Sequence, residues 1–220
     1  MVHESKSTPM IVAIDGPAGV GKSSVSARCA KEMGFVYLNS GNLYRAITRI
    51  HLDSGNDPVA NDLVVATARD ANIELVGARI LSDGVDLTDA LHQDDVDAWV
   101  AQHSAIVPVR RIIVEMLRSV TIGLDVIVEG RDITTVVFPD AEMKIFLDAS
   151  IDVRAQRRFD QRSSKKNVEE LKQNIAMRDA IDTSKEEGNL QIAPDARYID
   201  TSDLTIEQVC AKVIELILSA

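Results

Sequence analysis

Residues 10–23 read Met10-Ile-Val-Ala-Ile-Asp15-Gly16-Pro17-Ala18-Gly19-Val20-Gly21-Lys22-Ser23. A short apolar run ends in an acid and gives way to glycines, the pattern of a buried parallel strand feeding a tight loop. Beyond Ser23, the apolar positions Val25, Cys29 and Met33 recur at helical spacing and Gly34 supplies a stop. Gly16 to Ser23 thus fits GxxxxGK[ST] in the order strand, loop, helix, which separates a phosphate-binding loop from a chance match. The glycines let the backbone curl so that successive N–H groups face phosphate oxygens, and the following helix adds its positive end. Lys22 would neutralise β/γ-phosphate charge, and the Ser23 hydroxyl would ligate Mg²⁺. The competing reading is a glycine turn beside a surface lysine.

Outward from this loop the chain alternates strand-like and helical segments. Phe35–Leu38 reads as a second strand, with Leu43, Ile47 and Ile50 at helical spacing after it. Ile73–Leu87 contains two β-like runs and a turn at Asp83-Gly84, so a hairpin-bearing lobe interrupts the pattern. Helices are expected over Asp94–Ile106 and after Pro108. The runs Val126–Glu129 and Met143–Asp148 resume the sheet. Asn167 with Glu170, and Thr205 with Gln208, form capping boxes for two further helices, the last amphipathic.

The chain has 220 residues, 45% apolar and 26% charged, enough for one folded unit with a sizeable core. Its 24 Lys and Arg against 34 Asp and Glu leave a net charge of -10, the wrong sign for gripping long nucleic acids. Two cysteines make no disulfide framework, no apolar run spans a membrane, and no export signal is visible, so a cytoplasmic protein is expected.

Three further features carry chemistry. Glu129-Gly130-Arg131-Asp132 crowds charge at the carboxyl end of a strand, where open α/β sheets form ligand crevices; a structural ion pair is the alternative. Arg154, Arg157, Arg158, Arg162, Lys165 and Lys166 concentrate basic charge in one segment with Asp160 as its one acid. Such a run is ordinarily a solvated helix face, but the spacing of Arg154, Arg157 and Arg158 puts three guanidinium groups on one side, within reach of a transferring phosphoryl group. Arg45 and the pair Arg110-Arg111 are additional cations near loop edges. His3, His51, His92 and His103 lack metal-ligand spacing, Cys29 and Cys210 read as inert core thiols, and Trp99 reads as core of the inserted lobe.

The segments IVAIDGPAGVGKSS, YLNSGNLYRAI and VIVEGRDITTVVFPDAEMKIFLDAS, with DGVDLTD, RDAIDTSK and YIDTSDLTIEQV, occur in an order that resembles the bacterial cytidylate kinase family over nearly the whole chain. The resemblance implies an α/β fold of the nucleoside monophosphate kinase type: a five-stranded parallel core, a monophosphate-binding lobe and a helical lid. The core would comprise 10–40, 110–150 and 189–220, the lobe 41–109 and the lid 151–188. It implies ATP and Mg²⁺ at the phosphate loop (Gly16, Pro17, Ala18, Gly19, Val20, Gly21, Lys22, Ser23, Ser24) with Arg157 as a further contact. CMP or dCMP would meet Ser40, Tyr44, Arg45, Arg131 and Asp132, with Arg111, Asp132 and Lys185 at the base and Arg178 and Asp182 at the sugar. Catalysis would fall to Lys22, Arg131, Arg157 and Arg158. Departures from the family pattern are Lys185 for an arginine, Gln102 where a sugar-contacting serine is expected, Thr134 for a glycine and Asn189 for a proline. A monomer with no nucleic-acid polymer and no membrane partner is expected. The rivals are a P-loop kinase for another monophosphate or a small hydroxyl acceptor, and a nucleotide-switched binding protein; the chain lacks the NKxD motif of common GTPases.

Overall fold

In the computed structural model, residues 9–76, 79–161 and 167–220 are described; Arg162, Lys165 and Lys166 of the basic run, and His3, lie outside them. Five strands form the central sheet: β1 (Ile11–Asp15), β2 (Val36–Asn39), β6 (Val126–Gly130), β7 (Met143–Asp148) and β8 (Arg197–Asp200). Their order is β2-β6-β1-β7-β8, and every neighbouring pair is parallel. Eight α-helices are described: α1 (Lys22–Met33), α2 (Ser40–Asp53), α3 (Asn61–Asp70), α4 (Asp94–His103), α5 (Val107–Val120), α6 (Ile151–Gln161), α7 (Val168–Ser184) and α8 (Ile206–Leu218).

The alternation of side chains along β1 sorts the core into two layers. Val12 and Ile14 face one cluster with Val25, Cys29, Ile145 and Val213, under α1 and α8, while Ala13 faces the other with Leu43, Ile47, Ile113 and Leu117, under α2 and α5. A strand covered on both faces has no polar side, which is why MIVAI is uninterruptedly apolar. Cys29 and Cys210 are buried between α1 and α8, and burial pushes the Cys29 thiol up to about 12, as an inert core thiol should be.

The parallel register aligns the strand ends that carry the chemistry. Asp15 pairs with Gly130, and Asn39 with Glu129, so the loop after β1, the start of α2 and the Arg131-Asp132 turn all emerge at one edge. The turn is then anchored. The buried Asp15 carboxylate accepts from Ile133 N (2.9 Å), Thr134 N (2.7 Å) and Thr134 Oγ1 (2.6 Å), at the head of a single π-helical turn, Ile133–Val137. Thr134 therefore contributes a hydroxyl donor where glycine could give only its N–H. Burial, opposed by these donors, raises Asp15 to about 6.

Two expectations about elements need correction. The Ile73–Leu87 stretch is a three-stranded antiparallel sheet, β3 (Ile73–Val76), β4 (Arg79–Ser82) and β5 (Val85–Asp86); Asp83-Gly84, both at positive φ, joins β4 to β5 rather than the two long runs. Residue-by-residue reading also passed over β8, whose Arg197 and Tyr198 are exposed because it lies at the sheet edge.

Both capping boxes are present: Asn167 Oδ1 accepts from Glu170 N and Thr205 Oγ1 from Gln208 N, each repaid by the reciprocal side chain. Thr205→Ala should cost about 1 kcal/mol of stability, read as a lower urea midpoint with an unchanged m-value, because α8 keeps its apolar face and loses only its cap.

Candidate active site

A cavity of about 290 Å³ opens along the carboxyl edge of the sheet, lined at one end by Ala18, Gly19, Gly21, Lys22, Ser23 and Ser24. Gly16 starts the loop at φ 153°, and a Cβ there would overlap the Leu147 carbonyl, so only glycine brings the chain so close to β7. Lys22 is 5% exposed and spans the loop, its Nζ donating to Gly16 O (2.7 Å) and Pro17 O (2.9 Å). Burial and the nearby Arg131 charge lower Lys22 to about 7.

The middle of the cavity holds guanidinium groups set against carboxylates. Arg131 Nε donates to Asp182 at 2.8 Å, and Lys185 Nζ meets the same carboxylate at 2.7 Å. Burial raises the Asp182 pKa, but these two cations outweigh it and hold the carboxyl below its usual range. Arg178 lines the same cavity; its Nε is buried with no acceptor among the described residues, and burial beside Arg131 lowers it to about 10. Arg45 donates to Leu91 O (2.9 Å) and pairs with Asp97 (2.7 Å), which also pairs with Arg158 at 3.5 Å.

At the far end, Arg110 and Asp132 form an ion pair that is almost fully buried, with the Arg110 guanidinium 5.6 Å from the Tyr44 ring centroid. Arg110 also donates to Ser104 O (2.9 Å). Burial raises Asp132 despite its partner. Ser40 Oγ donates to Glu129 O at 2.8 Å, tying α2 to the end of β6.

A family model described as cytidylate kinase matches residues 12–219. The chain belongs to the cytidylate kinase family. A cytidylate kinase of Caldanaerobacter subterraneus subsp. tengcongensis is 40% identical, the alignment covering 94% of this chain and 93% of that one. Cytidylate kinase 1 of Borreliella afzelii is 38% identical, with 94% and 96% covered. Among solved structures, an uncharacterized protein from Eubacterium ventriosum superposes with a TM-score of 0.56 at 12% identity, over 96% of this chain and 99% of that one, a likeness of fold.

Of the residues that membership in the cytidylate kinase family led the sequence to nominate, most meet in this cavity: Ser40, Tyr44, Arg45, Arg131, Asp132, Arg158, Arg178, Asp182 and Lys185 all line it beside the phosphate loop. Three do not. Arg111 is exposed and pairs with Glu187 at 2.5 Å, while Arg110, one residue earlier, turns inward to Asp132. Helical spacing decides this, since Arg110 follows the buried face of α5 with Val109, Ile113 and Val114. Gln102 is exposed on α4, and Ala101 and Ser104 line the cavity in its place. Arg157 lies outside the lining, and with Arg154 it reaches the back of the loop: the three guanidiniums read as one face divide, and only Arg158 turns into the cavity.

Of the histidines assigned no chemistry, His92 lines the cavity, while His51 and His103 are structural groups of the lobe. His51 and His103 are buried, their Nε2 atoms meeting Asp57 O (3.1 Å) and Pro58 O (2.9 Å), and Trp99 stacks on His103 within the lobe.

Because burial and Arg131 lower Lys22 to about 7, a polyphosphate beside it will raise it, and the protein will take up a proton on binding nucleotide at pH 8. Calorimetry in two buffers of different ionisation enthalpy should report a substantial fraction of one proton, and Lys22→Met should abolish that part of the uptake.

Proposed function

We propose that the protein transfers the γ-phosphoryl group of ATP to CMP or dCMP, giving ADP and the diphosphate. The observation that supports this most strongly is the continuity of one cavity from a phosphate loop, past four guanidinium groups, to a buried Arg–Asp pair suited to a base. ATP phosphates would lie on the loop, with Lys22 released from the Gly16 and Pro17 carbonyls to meet them. The acceptor phosphate would lie among Arg45, Arg131 and Arg178, the sugar near Arg178 and Asp182, and the base against Tyr44, Arg110 and Asp132, with Lys185 close by.

An acceptor phosphate is already ionised at neutral pH, so no strong general base is needed. One of its oxygens attacks the γ-phosphorus as the bond to the β-bridging oxygen breaks, and the electron pair leaves with ADP. The protein aligns the two polyanions and offsets their charge, a contribution that comes from position and electrostatics. A carboxylate at Asp132 accepts from the cytosine N4 amino group, whereas uracil would set an acceptor against it. Cytosine is therefore preferred.

Mg²⁺ fits the donors present. Ser23 Oγ faces the cavity with Asn39 Nδ2 3.4 Å away, and Glu129 ends the neighbouring strand, its carboxylate 2.5 Å from Tyr37 OH. No cluster of three or more His, Cys, Asp or Glu able to hold a metal occurs among the described residues, which suits an ion that arrives with nucleotide and keeps waters. When bound, the ion would neutralise phosphate charge; Ser23 would ligate it and Glu129 would orient its waters.

The cavity, about 290 Å³, is at the lower end of the roughly 300–1,000 Å³ usual for small-molecule sites and is bordered by residues of 41–109 and of 151–188. We therefore read 151–188 as a lid over a monophosphate lobe, 41–109, on a core of 10–40, 110–150 and 189–220. The Arg158–Asp97 pair bridges lid and lobe.

A coupled assay of ADP release should give turnover with CMP and dCMP far above UMP, AMP and shikimate; no CDP from CMP would end this reading. Arg110→Ala should raise the CMP KM by ten-fold or more, while Arg111→Ala changes it less than two-fold, a contrast that tests which arginine serves the base. Arg158→Ala should lower kcat by about 10³ with little change in the ATP KM if it acts on the transferring group.

A further inference from the structure

The two arginines that stand behind the phosphate loop hold its peptide units from outside. Arg154 NH1 donates to Ala18 O at 3.0 Å, and Arg157 NH1 donates to Val20 O at 3.1 Å. With Lys22 on Gly16 O and Pro17 O, four carbonyls of this short loop end on cationic donors. Each arginine is itself braced. Arg154 donates to Ala149 O and pairs with Asp179 on α7 at 2.6 Å, and Arg157 donates to Thr201 Oγ1 (3.0 Å), Thr201 O (2.6 Å) and Leu204 O in the turn between β8 and α8.

Peptide geometry turns these contacts into a statement about the cavity. No peptide bond among the described residues is cis, and in a trans unit the carbonyl of one residue points opposite to the N–H of the next. Pulling Ala18 O and Val20 O outward therefore drives the N–H groups of Gly19 and Gly21 inward. Both residues line the cavity, and neither N–H has an acceptor among the described residues. Glycines alone would not hold this arrangement, because Gly19 (φ 79°) and Gly21 (φ 99°) can rotate their peptides at little cost. Such a flip would present a carbonyl to a phosphate.

We propose that Arg154 and Arg157 are positioning residues that act through the phosphate loop, clamping the Ala18 and Val20 carbonyls so that the Gly19 and Gly21 N–H groups stay directed at the phosphates. The proposal rests on reading that loop as the ATP phosphate site. It gives the basic helix two functions, an inner one on loop geometry from Arg154 and Arg157 and an outer one on the transferring group from Arg158.

Arg157 is the better test, being half-buried where Arg154 is 7% exposed and paired with Asp179. Binding of ATP and of inorganic tripolyphosphate to the full-length protein should both weaken by about ten-fold in Arg157→Ala, by the same factor, because the loss lies in the loop and not in a contact to the nucleoside. In ¹⁵N spectra, the Gly21 amide should lose most of its ligand-induced shift while Gly19 keeps its own; Arg154→Gln should reverse the pattern. Should Arg157→Ala fail to melt cooperatively, Arg157→Lys carries the same comparison, with a smaller but equal loss for the two anions. Unchanged tripolyphosphate binding beside weakened ATP binding would make Arg157 a direct nucleoside contact and overturn the inference. Wild-type-like binding of both anions would overturn it too. Failure of the wild-type protein to bind either anion would overturn the phosphate-loop reading, and the inference with it.

Discussion

The crowding of cations around one cavity governs this structure. Lys22, Arg45, Arg110, Arg131, Arg158, Arg178 and Lys185 line one cavity in a protein whose net charge is -10. Cations so close together repel strongly in a poorly solvated place. The fold answers by giving them acidic partners of its own: Asp97 serves Arg45 and Arg158, Asp132 serves Arg110, and Asp182 serves Arg131 and Lys185. Lys22 rests on loop carbonyls instead, and is the group whose pKa falls furthest toward neutrality. Under the proposed function, arriving phosphates would replace these internal acceptors, so that binding would exchange one set of neutralising groups for another.

These counter-charges tie the cavity to parts of the molecule far apart in sequence. Asp97 lies on α4, Asp182 on α7 and Asp132 after β6, so the counter-charges come from three separate elements. In the proposed reading, a ligand that drew Arg45 and Arg158 toward phosphate would weaken their hold on Asp97. Asp15 supplies the fixed point in this system. Its carboxylate anchors the turn that carries Arg131 and Asp132 to the strand that carries the phosphate loop.

Reading residues in order was most successful where local periodicity and backbone chemistry act together. The strand, loop and helix from Met10 to Met33, the two capping boxes and the Asp83-Gly84 turn are all consequences of contacts within a few residues. It was weakest where an element owes its place to distant partners. Strand β8 has only four residues, three of them exposed, and it is a strand because β7 offers an edge to pair with. The π-helical turn at Ile133–Val137 has no local signature, since Asp15, over a hundred positions away, organises its first residues.

The same division runs through the site. From the sequence alone came the loop, its lysine and serine, the acid-cation-acid turn after β6 and the concentration of arginines on α6, because each depends on residue type and short-range spacing. Only the folded chain decided which side chains converge: that Arg110 and not Arg111 enters the cavity, that Gln102 stays outside it, and that Arg157 grips the loop from behind while Arg158 faces the cleft. Neighbouring positions on a helix differ by about 100° in direction, so which of two adjacent arginines meets the site is settled by the rotation that core packing imposes on the helix, a quantity no short stretch of sequence contains.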